Sequence, residues 1–213
     1  MVKLENPYAH LRPQAKTLLS VPALFVLGYL ASRQTGFLFA YQYTITVLAT
    51  ILVSYYFDRE IISGRRIFGK DFVDFSRISL FVYPVLLSAA LVLVAKFLVR
   101  APVYHLHFTS MGALSTAELF VLMIVVTVPA TEILFRGYMQ HVMMHIFGGI
   151  TGSVISGIVY AGFFIVLSKN YWLLLIAAAM SGLFSYLYYR HKSVAATVIA
   201  HEILVMTMFI FHF

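Results

Sequence analysis

The stretch from residue 117 to residue 136 reads AELFVLMIVVTVPATEILFR. It contains only three charged residues, Glu118, Glu132 and Arg136. Its length matches the roughly 20 apolar residues that a helix needs to cross the hydrocarbon layer of a membrane. The stretch therefore predicts a transmembrane helix, which we expect to continue past the membrane surface to about Phe147.

The composition of the whole chain agrees with this prediction. Of the 213 residues, 62% are hydrophobic and 11% are charged, with a mean hydropathy of +0.91. Soluble domains carry about 25% charged residues, so this chain is too apolar to be one. The net charge of +7 is spread between apolar blocks and is not gathered on one soluble face, which argues against a nucleic acid partner. We expect membrane lipid to surround the chain.

Six further apolar blocks resemble the first one in length. They cover about residues 17–32, 36–57, 78–99, 150–168, 171–189 and 193–212. These blocks predict an all-α fold, a polytopic transmembrane helical bundle of about seven spans that forms a single membrane domain over residues 1–213. Polar residues precede the N-terminal block at residues 17–32. We therefore interpret that block as a retained span and not as a cleaved signal peptide.

Lys and Arg residues predict how the bundle is oriented. Placing the N-terminus in the cytoplasm puts ten of the fifteen basic residues inside and four outside, with Arg136 set aside within a span. Basic residues are preferentially retained on the cytoplasmic side. We therefore expect a cytoplasmic N-terminus, a cytoplasmic or interfacial segment at residues 58–77, and an external C-terminus.

Leaving aside residues near the ends of predicted spans, such as Lys96 and Glu118, four charged or histidine side chains lie inside them: Glu132, Arg136, His201 and Glu202. A charged side chain at mid-bilayer costs at least about 2.5–3.5 kcal/mol, so such residues indicate a functional site. Glu132 and Arg136 are four residues apart and share one helix face. Two structural alternatives remain open. Glu132 and Arg136 form a buried structural ion pair near the cytoplasmic interface, with Arg136 extending to the membrane surface, and His201 makes an inter-helix hydrogen bond that fixes packing.

The histidines outside these positions give a weaker signal. The chain has no Cys, so a metal would require His and carboxylate ligands. His141 and His145 are spaced to share a helix face, but Val142 stands where zinc peptidases carry Glu. His105 and His107 alternate in a predicted loop. We expect neither a metal site nor a cofactor.

Three stretches resemble the motifs of the CAAX protease and bacteriocin-processing (CPBP, or Abi) family. Residues 131–140, TEILFRGYMQ, are similar to a Glu-Glu pair followed by three residues and Arg, with Phe before that Arg and Gly after it. Residues 155–164 resemble a motif in which His follows an aromatic residue by four positions. Residues 191–201 resemble a small-residue helix leading to His, which Asn or Asp follows four positions later. The similar region covers about residues 115–210.

The resemblance implies an intramembrane endopeptidase site, but several of its groups are replaced here. The first Glu of the family corresponds to Thr131, the second-motif His to Phe164, which follows the aromatic Tyr160, and the third-motif Asn or Asp to Val205. Glu132 and His201 remain as catalytic residues if the chain is active. Arg136 remains as a structural motif residue together with its neighbours Phe135 and Gly137. The pattern therefore predicts a catalytically degenerate member.

Degenerate patterns of this kind are similar to the lysostaphin-resistance branch, whose members act as membrane partners of cell-envelope enzymes. That resemblance implies a scaffold or regulator in a bacterial plasma membrane that binds another membrane protein through its helix faces. Two alternatives stay open: a divergent intramembrane CAAX-type endopeptidase cleaving a membrane peptide or a prenylated or bacteriocin-like substrate, and an immunity-type or transport protein. Small residues in two spans suit either partner docking or internal packing. They are Gly152, Ser153, Ser156, Ala161, Gly162, Ala177 to Ala179, Ser181 and Gly182.

Overall fold

A computed structural model of the chain describes residues 20–33, 39–69, 116–168 and 171–210, together with positions 82, 86, 89 and 90. Throughout this part of the chain the regular structure is helical, without a strand. The predicted third span, residues 78–99, lies almost wholly outside the described residues. His105, His107 and residues 70–77 of the predicted cytoplasmic or interfacial segment also lie outside the described residues.

Seven helices are used below, numbered in chain order over the described residues. They are α1 (Ser20–Ser32), α2 (Phe39–Phe57), α3 (Gly64–Phe68), α4 (residues 116–147), α5 (Gly149–Ser168), α6 (Tyr171–His191) and α7 (Val194–Ile210), with a 3₁₀ turn at Arg59–Ile62 before α3. The predicted blocks coincide with α1, α2 and α4 to α7 to within a few residues. The predicted continuation of the apolar block at residues 117–136 as a helix to Phe147 is confirmed.

Helix α4 is not regular along its length. It has π-helical turns at Leu122–Thr127 and Ile133–Gln140, on either side of the α-helical segment Val128–Glu132. Pro129 lacks a backbone N–H and its ring disfavours a regular turn on its N-terminal side. Within the first π-helical turn the Thr127 hydroxyl donates to the Leu122 carbonyl five residues earlier at 3.1 Å.

A tight hairpin joins α4 to α5. Gly148 ends α4 with φ at 85°, a left-handed conformation that residues with a side chain rarely adopt. One turn later Gly152 lies directly against the backbone of Met143 and Met144, where any Cβ would overlap main-chain atoms. The two glycines therefore hold α5 against the C-terminal end of α4.

Two of the described helices are long and apolar enough to cross a membrane, Leu122–Phe147 and Gly149–Val166. Shorter apolar helical stretches lie at Ser20–Ala31 and Val194–Thr207. Large apolar side chains are exposed on the outer faces, including Leu52 at 72% and Ile158 at 66%. These side chains suit contact with lipid tails.

Segments with predicted cytoplasmic residues meet at one end of the bundle. Ser193 donates from its hydroxyl to the Ile67 carbonyl at 3.3 Å and accepts from the Ala196 N–H at the start of α7. Gly69 closely approaches the Lys192 carbonyl, and Lys192 Nζ lies 3.8 Å from Met144 Sδ. The end of α3 and the residue that follows it are thus fixed to the start of α7, the helix that carries His201.

Candidate functional site

Glu132 and His201, predicted from opposite halves of the motif pattern, are in direct contact. Glu132 Oε1 lies 2.8 Å from His201 Nδ1, although the two residues are 69 positions apart. The Glu132 side chain is fully buried and that of His201 is 7% exposed. The His201 ring stacks on Phe184 with centroids 4.7 Å apart, so α4, α6 and α7 together fix the imidazole.

Arg136 turns into the bundle and does not extend to the surface. Its Nε lies 3.5 Å from Glu132 Oε2, and both side chains are fully buried. Its terminal nitrogens donate to Ser185 Oγ at 3.0 Å and to Ser181 Oγ at 3.3 Å. The guanidinium also lies 5.3 Å from the centroid of the Tyr160 ring. The predicted extension of Arg136 to the membrane surface is therefore wrong, because serines of α6 and the carboxylate of Glu132 bind the guanidinium inside the protein.

The contact between Glu132 and Arg136 is an ion pair without a well-directed hydrogen bond. Glu132 Oε2 and Arg136 Nε have no hydrogen-bond partner in the structure, since their separation of 3.5 Å joins the charges without a good donor angle. At short range in a low-dielectric interior the charges still attract strongly. The arrangement is a continuous series of polar contacts from Arg136 through Glu132 to His201.

Sequence reasoning missed the polar groups that support Arg136. Ser185 was not predicted, and Ser181 was considered only for helix packing. Gln140, also missed, is fully buried and donates from Nε2 to Ser153 Oγ at 2.9 Å and to the Ser185 carbonyl at 2.8 Å. The detectable signal was spacing: Arg136 and Gln140, like Ser181 and Ser185, are four residues apart in otherwise apolar helices.

Thr131 occupies the position of the family's first Glu without supplying an ionisable group. It is buried, its hydroxyl donates to the Thr127 carbonyl at 2.7 Å, and Tyr43 OH lies 3.2 Å from the same hydroxyl. Tyr43 comes from α2, outside the region of resemblance. No motif distinguished it from the many aromatic residues of the predicted spans.

Phe164, at the position of the second-motif His, belongs to an aromatic cluster. Its ring makes an edge contact with Tyr43 at 6.1 Å and stacks on Tyr160 at 6.2 Å. Tyr160 in turn contacts Phe135 edge-on at 4.9 Å. Val205 follows His201 by one turn of α7 and is 5% exposed. The three replaced positions are therefore occupied by a hydroxyl, an aromatic ring and an aliphatic side chain.

Phe135 and Gly137 contribute through packing. Phe135 is fully buried and contacts Phe163 at 5.8 Å between ring centroids. A Cβ at Gly137 would lie 3.0 Å from Val194 Cγ2. The absence of a side chain at residue 137 lets α4 approach the first turn of α7, which helps to bring Glu132 and His201 together.

The small residues of α5 and α6 divide between two roles. Ser153 and Ser181 bind Gln140 and Arg136, and Gly152 packs on α4. Ser153 and Ser181 also line a lateral groove between α5 and α6 with a volume of about 550 Å³. The rest of its lining includes Gly157, Ile158, Ala161, Ala178, Gly182 and Tyr186. A Cβ at Gly182 would meet no atom within 4 Å. Internal packing and an open face therefore both occur.

Comparison with known proteins agrees with the motifs. Residues 112–207 match the family model described as Rce1-like, type II CAAX prenyl endopeptidase Rce1-like. Neither the comparison with curated proteins nor that with solved structures found a match. The matched segment contains the three motif stretches and the contact between Glu132 and His201. The segment that contains α4 to α6 and most of α7 is therefore similar to the Rce1-like type II CAAX prenyl endopeptidases, which are CPBP-family membrane proteins.

Proposed function

We propose that this protein is a catalytically degenerate CPBP-family membrane protein that acts as a scaffold or regulator of another membrane or cell-envelope protein. The observation that carries the proposal is the chemistry at the three replaced motif positions. Thr131, Phe164 and Val205 provide neither a second carboxylate nor a second imidazole nor an amide beside Glu132.

The environment of Glu132 supports the same proposal. Oε1 contacts His201 and Oε2 faces Arg136, within a side chain that has no exposed surface. A general base must reach the water that it activates, and a positioned acid or base contributes about a hundredfold to ten-thousandfold in rate. Removing one oxyanion donor costs about a further hundredfold to thousandfold. Losses of that size favour a binding function over proteolysis.

The groove between α5 and α6 is the face that we propose for the partner, with a transmembrane helix of that partner as its occupant. Small residues let helix backbones approach closely in a membrane, where van der Waals packing drives association. Its flanks carry exposed apolar side chains, among them Val154 at 56% and Ile158 at 66%. A helix with small residues on one face would fit between them.

The decisive experiment compares two substitutions in cells and in mild detergent. Gly182→Leu places a larger side chain in the groove from a position where a Cβ meets no atom within 4 Å, so we expect a folded protein that no longer co-purifies with its partner and loses its phenotype. His201→Gln removes the imidazole but leaves the buried ion pair of Glu132 and Arg136 in place, and we expect the partner and the phenotype to be retained. A phenotype that depends on His201 and not on Gly182 would refute the scaffold proposal.

A second candidate, a divergent intramembrane endopeptidase, is favoured by the 2.8 Å contact between Glu132 and His201. A buried carboxylate beside an imidazole is a pair able to exchange a proton with a bound water. On this hypothesis an uncut membrane peptide or prenylated substrate accumulates when His201→Gln, which leaves the ion pair of Glu132 and Arg136 in place, replaces the native chain. Mass spectrometry of membrane fractions from the two strains distinguishes the candidates.

The proposal includes a topology and a location. We propose about seven spans, a cytoplasmic N-terminus and a multi-pass position in a bacterial plasma membrane, with a role similar to the lysostaphin-resistance branch. The positive-inside pattern and the apolar blocks support it. An immunity-type or transport role remains a third hypothesis. Transport of a substrate across the membrane that continues in the Gly182→Leu variant would favour it.

A further inference from the structure

His141 and His145 form a pair that the proposed function does not use. Both lie in the last segment of α4, His141–Phe147, with ring centroids 4.6 Å apart. Their Nε2 atoms face each other at 3.2 Å. His141 is half-buried and His145 is exposed, so solvent reaches the pair from one side.

The separation of these nitrogens suits a shared metal ion. Two imidazole nitrogens each about 2.0–2.1 Å from an ion lie about 3.3 Å apart at a tetrahedral angle and about 2.9 Å apart at a right angle. The observed 3.2 Å falls between these values. We propose that His141 and His145 bind a divalent late transition-metal ion, Cu²⁺, Ni²⁺ or Zn²⁺, through their Nε2 atoms.

A residue of α6 orients the first ligand. Tyr188 OH lies 3.4 Å from His141 Nδ1, and Tyr188 is 1% exposed. A proton on Nδ1 directed at the phenol oxygen leaves the lone pair of His141 on Nε2, the atom that faces His145. Ligating histidines commonly donate their other ring N–H to such a partner, which fixes the tautomer and the ring orientation.

The ligand set determines which ions bind. No group of three or more His, Asp or Glu side chains able to hold a metal occurs among the described residues, so solvent would complete the coordination. Met144 Sδ contacts Lys192 Nζ at 3.8 Å. A site with nitrogen ligands and coordination positions open to solvent binds Cu²⁺ more tightly than Ni²⁺ or Zn²⁺. We therefore expect Cu²⁺ to be the strongest probe.

The test titrates Cu²⁺ into the full-length protein in detergent, purified without a polyhistidine tag. Electron paramagnetic resonance is expected to show splitting from two coordinating nitrogens. His141→Gln and His145→Gln should each lose that two-nitrogen signal, and Tyr188→Phe should weaken binding by about 10–100-fold, the usual cost of losing such a partner. Zn²⁺ should displace Cu²⁺ only at excess.

Two control variants distinguish this pair from His105 and His107 and from the buried His201. His105→Gln combined with His107→Gln changes the other closely spaced histidines and should leave Cu²⁺ affinity unchanged. His201→Gln should also bind Cu²⁺ normally, because the pair does not depend on the proposed scaffold role. Since His145 is exposed, its substitution should leave the metal-free melting temperature unchanged. Undiminished two-nitrogen binding in His145→Gln would overturn the proposal and leave a direct hydrogen bond between the two rings.

Discussion

Glu132 is the residue on which the buried polar network depends. It faces a guanidinium on one oxygen and an imidazole on the other, and Arg136 is held by two serines of a different helix. Charges buried in this way are stable only as a set, because each one removed leaves an uncompensated partner away from water. The network therefore explains why a chain without a complete family motif retains Glu132, Arg136 and His201.

Arg136→Met should destabilise the protein severely. The substitution keeps an unbranched side chain but leaves Glu132 buried without its cation, which typically costs about 3–5 kcal/mol. Thermal unfolding in detergent should show a large fall in melting temperature. Ser185→Ala, which removes only one acceptor of the guanidinium, should cost about 1–3 kcal/mol.

The double variant Arg136→Met with Glu132→Gln provides the control. Neutralising both charges removes the uncompensated carboxylate, so its melting temperature should recover part of the loss caused by Arg136→Met alone. Equal melting temperatures for the native protein and Arg136→Met would contradict a structural role for the ion pair.

Among the elements, the apolar helices were predictable and the irregular turns were not. Block length alone gave α5 as residues 150–168 where the structure has Gly149–Ser168, because the bilayer fixes the length of a span. No feature of the amino-acid composition predicts the π-helical turns of α4. Tyr43 was missed because contacts between distant helices leave no trace in local spacing, and the predicted third span lies outside the described residues.

Gly152 and Gly182 should respond oppositely to alanine. Gly152→Ala places a Cβ against the backbone of Met143, so α5 must move away from α4. We expect reduced yield and a lower melting temperature. Gly182→Ala meets no atom within 4 Å and should be neutral or stabilising by up to about 1 kcal/mol, the helix-propensity gain over glycine. Equal melting temperatures for the two variants would contradict the close approach of α4 and α5.

At the scale of the whole molecule, the segments near Ile67, Met144 and Lys192 share one end of the bundle. The basic-residue pattern predicts that this end is cytoplasmic and that Arg33 lies outside. The site of Glu132 and His201 is enclosed by α4, α6 and α7, and α2 supplies Tyr43 beside it. The sequence predicts the orientation of the chain in the membrane, and chemical labelling of single cysteines can test that orientation directly.

The chain has no cysteine, so single substitutions report topology without background. Glu60→Cys in the 3₁₀ turn and Arg33→Cys after α1 are both at exposed positions. A membrane-impermeant maleimide added to intact spheroplasts should label Arg33→Cys and not Glu60→Cys. Inverted vesicles should give the reverse pattern, and labelling of Glu60→Cys in intact spheroplasts would refute the predicted orientation.

The wide turns of α4 also bear on how the length of the chain can vary in evolution. A π-helical turn arises where a helix absorbs an additional residue locally. One residue deleted from Ile133–Gln140 would restore α-helical spacing and leave the flanking segments on their original faces. The same deletion inside α5 would rotate everything beyond it by about 100° and carry Ser156 away from the Phe135 carbonyl that it binds at 3.2 Å. Natural length variants should therefore concentrate in α4 and avoid α5.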